Sequence, residues 1–198
     1  MKISFLGAGN VARNLGGLFT KAGYTVKFSK PNPEGELLSI AEACDFGDIV
    51  FITTPYDAVK DILTKNRERL SGKIVVDVTN AINIQDWSPL FLGEKSAAEI
   101  SSKLIPEAKV VKAFNTVFAD MMNEKDLVYN GEKLTTFIAS DSEEAANTIK
   151  EIADKSDFSG IVLGSLKNAR YLEALAHLNI SLALAGKGTK AGFLYFSK

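Results

Sequence analysis

The sequence predicts an α/β fold: a Rossmann-type, mostly parallel sheet that lacks the usual third strand and carries a small α/β extension at its C-terminal end. Three observations predict it. The apolar run Ile3-Ser4-Phe5-Leu6 leads straight into Gly7-Ala8-Gly9-Asn10-Val11-Ala12. Runs rich in β-branched and aromatic residues then alternate with helical patterns along the chain. Between the second strand and the next, Pro31 to Phe46 leaves room only for a turn and a short helix.

Lys2 to Leu6 reads as a buried strand, and the glycine turn opens a helix carrying Val11, Leu15, Leu18, Phe19 and Ala22 at helical spacing, with Gly23 as its stop. G-x-G-x-x-A in this strand–turn–helix setting is a dinucleotide-binding pattern. Gly7 allows the tight turn, Gly9 lets a pyrophosphate approach bare backbone, and the small third position lets helix and strand pack closely. The free N–H groups of the helix start then meet the phosphate.

Tyr24 to Phe28 forms the second strand, ending at Ser29-Lys30. An acidic residue roughly 20 positions after the glycines would select NAD, and a basic one NADP. Here the strand tip offers a hydroxyl and an ammonium, which favours NADP; Glu34 and Glu36 follow closely enough to leave NAD open. The spacing next predicts a helix over Glu34 to Ala43, a strand over Asp48 to Thr53 ended by Pro55, and a helix with Val59, Ile62, Leu63 and Leu70 inside. A strand over Ile74 to Val78 ends at Thr79-Asn80, small polar residues at a carboxyl end of the sheet, where ligands of open α/β sheets bind. Trp87, Leu90, Phe91 and Leu92 read as a packed apolar loop. Ser96 caps a helix that closes before Pro106, and Lys109 to Phe114 is the last strand of this series, ending at Asn115-Thr116.

Residues 1–116 thus read as the dinucleotide-binding domain and 117–198 as the extension. In the latter, Met121 to Gly131 reads as irregular, Leu134 to Ala139 and Phe158 to Leu163 as strands, and Ser142 to Lys155 as a helix. A long helix from Asn168 to Ala185 is apolar on most faces, so it is buried in the core or against a second copy, which predicts a homodimer. Its narrow polar stripe is Arg170, Glu173, His177 and Ser181; Arg170 and Glu173 read as an ion pair, and His177, the only histidine, as a structural residue.

Bulk properties exclude several classes. With 198 residues, 46% of them hydrophobic, the chain can bury a sizeable core. Lys plus Arg total 23 against 24 for Asp plus Glu, giving a net charge of −1, so neither a nucleic-acid partner nor a membrane surface is indicated. One cysteine, Cys44, rules out an intrachain disulfide and fits a reducing, cytoplasmic compartment. One histidine and one cysteine argue against a conventional metal site, and no side-chain set suited to nucleophilic or acid–base catalysis stands out.

The glycine turn, Thr53-Thr54-Pro55, Ser96-Ala97-Ala98-Glu99-Ile100, Val110-Val111-Lys112-Ala113-Phe114-Asn115-Thr116 and Gly164-Ser165-Leu166-Lys167-Asn168-Ala169-Arg170-Tyr171-Leu172-Glu173 together resemble the NADPH-dependent coenzyme F420 reductase family. The fold is also similar to the reductase domain of the six-transmembrane epithelial antigens. The resemblance implies that Ala8, Asn10 and Val11 hold the pyrophosphate. It matches Ser29 and Lys30 to a Ser-Arg pair that grips the 2′-phosphate, where lysine keeps the charge and loses the two-pronged geometry. It sets Thr54, Pro55, Tyr56 and Val59 along the ribose and phosphate, and Asn80 and Ala113 near the nicotinamide. Asn115 falls where deazaflavin-using archaeal members carry a histidine beside the acceptor. That departure and the missing strand weigh against coenzyme F420 itself. The expected activity is hydride transfer between NADP(H) and a small-molecule acceptor, a flavin or a deazaflavin, which needs no catalytic side chain. The alternative is an NADP(H)-binding sensor without turnover, which needs no acceptor pocket. A carbonyl or imine dehydrogenase would bring a larger helical domain and a catalytic lysine or histidine.

Overall fold

The computed structural model describes all residues except Phe91, Glu124 and Lys198. Strand β1 (Lys2–Leu6) is buried from Ile3 onward and delivers the chain to α1 (Asn10–Lys21). β2 (Thr25–Phe28) returns parallel to β1, with Val26 opposite Ile3. Among the described residues the usual third strand is missing, as expected. Its remnant is a single parallel bridge, in which Leu38 N–H donates to Phe28 and Lys30 N–H to Leu38. The helix expected over Glu34 to Ala43 starts later, as α2 (Ile40–Phe46). Ser39 caps it in a reciprocal box with Glu42, which fixes the start six residues beyond Glu34.

β3 (Ile49–Ile52), α3 (Tyr56–Lys65), β4 (Ile74–Asp77), α4 (Ala97–Leu104) and β5 (Lys109–Lys112) complete the parallel series. α4 begins with a second capping box, Ser96 with Glu99. The segment after β5 is less irregular than its sequence suggests, for β6 (Val128–Tyr129) and β7 (Glu132–Lys133) close a small hairpin. β8 (Thr135–Ser140) then pairs antiparallel with β5, α5 (Glu143–Lys155) follows, and β9 (Ser159–Val162) pairs parallel with β8. The C-terminal unit therefore adds to the same sheet, whose order among the described residues is β2-β1-β3-β4-β5-β8-β9. α6 (Ala169–Leu182) ends three residues short of expectation, where the backbone widens into a π turn and reverses at Gly186.

Two apolar layers flank the sheet. One holds a file of phenylalanines: Phe5 lies 5.4 Å from Phe28 and 4.9 Å from Phe51, Phe51 lies 6.0 Å from Phe114, and Phe114 lies 5.4 Å from Phe158. Each pair adds about 0.5–1.5 kcal/mol beyond its buried area. The file ties both ends of the sheet together beneath α1. The other layer packs Ile52, Leu63, Val75 and Ala98 under α3 and α4.

Candidate functional site

Strand order reverses between β1 and β3, so the crevice at their carboxyl ends is the ligand position of such a sheet. Gly7 sits there at φ +132°, and a Cβ on it would come 2.8 Å from Thr53 Oγ1 and 3.0 Å from Thr53 O. Only glycine lets the turn press this closely against β3. Thr53 Oγ1 in turn donates to Leu6 O at 3.2 Å. Gly9 is different. Its φ is an ordinary −78°, and a Cβ there would meet nothing within 4 Å. Open space thus lies in front of the α1 start, which has no side-chain cap, whereas serines cap α2, α4 and α5. The uncapped N–H groups and the bare Gly9 form a cradle of the kind a pyrophosphate fills. Exposed Asn10 and half-buried Val11 open this helix, and Ala8 is buried beneath it. Arg13 folds back so that its Nε donates to Ala8 O at 3.0 Å, a positive charge on the turn that the motif did not call for.

At the tip of β2, Ser29 and Lys30 part ways. Ser29 is fully buried and its hydroxyl donates to Phe5 O at 2.9 Å, while Lys30 is exposed. After β3, Thr54 Oγ1 is buried with no hydrogen-bond partner. Pro55 is exposed and starts α3, Tyr56 is half-buried, and Val59 is buried in the core layer below. Burial, reinforced by the Glu173 and Asp77 carboxylates, holds the Tyr56 phenol above its usual range.

Beyond β4 and β5 lies a cleft of about 280 Å³. Val11 of the glycine turn, Asn80 and Asn115 all line it, together with Phe114, Trp87, and Ala176, Asn179 and Ile180 of α6. Asn80 and Asn115 are locked together: Asn80 Nδ2 donates to Asn115 O at 2.9 Å, and Asn115 Nδ2 donates to Asn80 Oδ1 at 2.9 Å and to Leu172 O at 3.0 Å. Phe114 holds a left-handed φ of +61°, supported by its N–H donating to Thr136 Oγ1 at 3.0 Å. That strained turn carries Asn115 to the cleft wall. Ala113 is fully buried behind it and does not line the cleft.

The sequence reading missed the buried charge cluster beside this cleft. Lys112, fully buried at the end of β5, lies 2.9 Å from Glu173 Oε1 and 3.4 Å from Asp77 Oδ1. Burial pushes its ammonium down, but the two carboxylates outweigh this and hold it above the usual lysine range. Glu173 also accepts from Ala97 and Ala98 N–H, at 2.8 and 3.3 Å, so it caps α4 from α6. The expected Arg170–Glu173 pair is therefore corrected: Arg170 turns instead to Glu99, at 3.2 Å. Lys112 in Val110-Val111-Lys112-Ala113 was the available signal, a charge inside an otherwise apolar strand. His177 lies on α6 near the cluster; burial holds its pKa below the usual value against the raising effect of Glu173. Burial likewise pushes the Cys44 thiol up to about 11, which leaves it inert at neutral pH. The apolar loop expected to pack does so only in part: Trp87 is 51% and Leu90 41% exposed and Leu92 is half-buried, while Phe91 lies outside the described residues.

Among the described residues no group of three His, Cys, Asp or Glu side chains could hold a metal ion, and no helix is long and apolar enough to cross a membrane.

Fold and crevice define a dinucleotide-binding site of Rossmann type, and comparison with known proteins says what the chain is similar to. Residues 2–81 match the family model described as NADP oxidoreductase, coenzyme F420-dependent. The F420-dependent NADP reductase of Methanocaldococcus jannaschii is 29% identical over 76% of this chain and 69% of its own length. The rat metalloreductase STEAP3 is 30% identical over 88% of this chain, which spans only 36% of that protein. A crystal structure of a candidate F420-dependent NADP reductase from an Arthrobacter species superimposes over the whole of both chains with a TM-score of 0.88 at 24% identity, which shows the shared fold. The chain is thus similar to the coenzyme F420-dependent NADP oxidoreductases, the resemblance that its sequence motifs suggested.

Proposed function

We propose that this chain uses NADPH to reduce a small-molecule acceptor of flavin or deazaflavin type. The carrying observation is the cleft that begins at Val11 on the glycine turn and ends at Asn80 and Asn115, lined on one side by α6. A sensor without turnover has no use for such a space. A carbonyl or imine reductase needs a proton donor, and the lysine at this strand end, Lys112, is sealed in ion pairs with no surface in the cleft.

The residues present fit NADP(H). Gly7, Ala8, Gly9, Asn10 and Val11 would hold the pyrophosphate on the uncapped helix start. Lys30 would meet the 2′-phosphate, with Ser29 anchoring the strand tip through Phe5 O. Thr53, Thr54, Pro55 and Tyr56 would line the ribose side, where the buried Thr54 Oγ1 has no protein partner. Asn80 and Asn115 would face the nicotinamide end, with Val59 and Ala113 as the packing beneath. Bound NADPH supplies a hydride, and the protein's part is to align two rings and exclude water. The mostly apolar cleft wall does the second.

The test is NADPH consumption with FMN, FAD, coenzyme F420 and a ferric chelate offered in parallel. Turnover with a ring acceptor supports the proposal, and turnover with the chelate alone would overturn it. For the cofactor, Lys30→Ala should weaken NADPH binding by about 1–3 kcal/mol, the scale of a charge-assisted hydrogen bond, and leave NADH unchanged. Equal losses for both would remove the NADP assignment.

We also read the chain as a cytoplasmic homodimer. Cys44, the one cysteine, is buried and free, and low cysteine usage suits a reducing compartment. Tyr171, Leu178 and Leu182 stay exposed along one side of α6, an apolar face that a second copy would cover. Sedimentation should find a dimer at micromolar concentration, and a monomer would contradict this.

A further inference from the structure

Trp87 is the chain's only tryptophan, and its ring stands at the mouth of the cleft, half in water. Its backbone lies at φ +63°, a region that bulky residues rarely enter. The loop that carries it is closed on itself. Trp87 N–H donates to Asn83 O and Asn83 N–H to Ser88 O, both at 2.8 Å, and Asp86 Oδ1 accepts from Ser88 N–H and Oγ at 3.0 and 2.7 Å. At its base Leu90 N–H donates to Ala81 O at 2.9 Å, beside a bridge between Ile82 and Pro89. A strained, internally bonded loop therefore presents a large aromatic surface to a cleft instead of burying it in the core.

The same cleft holds a second unmet demand. Asn115 is 6% exposed, and its Oδ1 has no hydrogen-bond partner although both protons of Nδ2 are used. A buried lone acceptor is costly unless a ligand brings a donor. The aromatic face asks for a planar ring, and Asn115, a residue of the same cleft, keeps a buried carbonyl oxygen that an N–H on the ring's edge reaches once the side chain turns toward the cleft. A flavin or deazaflavin, a fused ring system with an imide N–H, has both.

We propose that Trp87 is the stacking surface that selects a planar ring acceptor in this cleft, with Asn115 turning its Oδ1 to receive the ring's N–H. This rests on the hydride-transfer reading above. It assigns acceptor selectivity to the loop after β4, apart from the residues that hold the dinucleotide.

FMN is the probe, titrated in the presence of NADP⁺ so that no reduction occurs. In the wild type, FMN should quench the emission of Trp87 saturably. By flavin fluorescence, Trp87→Phe should retain FMN affinity within about threefold and Trp87→Ala should lose about tenfold or more. NADPH affinity should be the same in all three, which also shows that the variants fold. Unchanged FMN affinity in Trp87→Ala overturns the stacking role and leaves the hydride-transfer reading standing. A wild type that binds NADPH but neither binds nor reduces FMN or coenzyme F420 overturns both.

Discussion

Replacing Lys112 with methionine should cost about 3–5 kcal/mol of folding stability, the usual consequence of removing one partner from a buried ion pair. Methionine keeps the volume, so the loss is electrostatic. Asp77 would keep its bonds from Thr79 N–H and Oγ and from Ser101 Oγ, at 2.8, 2.7 and 3.0 Å, and Glu173 its bonds from the start of α4. Both would then be buried anions with no cation between them. Because Asp77, Lys112 and Glu173 belong to β4, β5 and α6, the damage should reach the cleft those elements frame. Urea unfolding measures it. Adding Glu173→Gln to Lys112→Met should recover part of the loss, since one buried negative charge goes with it, and the two changes should be clearly non-additive. A loss under about 1 kcal/mol for Lys112→Met would mean that the cluster is not what joins these elements.

Gly9→Ala should leave stability within about 0.5 kcal/mol of the wild type yet weaken NADPH binding more than about tenfold, or 1.4 kcal/mol. A methyl at Gly9 meets no protein atom within 4 Å, and φ −78° suits alanine. It enters only the space where the pyrophosphate would lie. Gly7→Ala cannot make this separation, because φ +132° and the 3.0 Å approach to Thr53 O would strain the fold itself. Isothermal titration with NADPH, beside a melting curve, measures both quantities. Parallel losses of stability and affinity would contradict the cradle.

Much of this was legible in the chain, and what was not has physical reasons. The parallel series, the missing third strand and the glycine turn follow from local signals: apolar runs, Gly7 and Gly9, and the short span from Pro31 to Phe46. The delayed start of α2 was also local, since Ser39 and Glu42 spell a capping box that outweighs the helical pattern before it. The partner of Glu173 was not legible. Helical spacing puts Arg170 beside it, but Lys112 approaches from another element 61 positions away in sequence, and a buried cation takes precedence over a surface one. Trp87 misled for a similar reason. Apolar residues in a loop usually pack, and nothing local says that this loop closes on its own hydrogen bonds and leaves the ring at a cleft. Ser29 and Lys30, adjacent in sequence, separate because side chains alternate along a strand, one inward to Phe5 O and one to solvent.

The central claim is direct hydride transfer to a ring held in the cleft beside Asn115. The most direct measurement follows deuterium from NADPH carrying deuterium at both hydrogens of nicotinamide C4, with a deazaflavin as acceptor, whose reduced ring carbon does not exchange its hydrogen with water. The account predicts one deuterium in the reduced deazaflavin, recovered by mass spectrometry. Reduced deazaflavin without the label, or NADPH bound with no reduction at all, would contradict it.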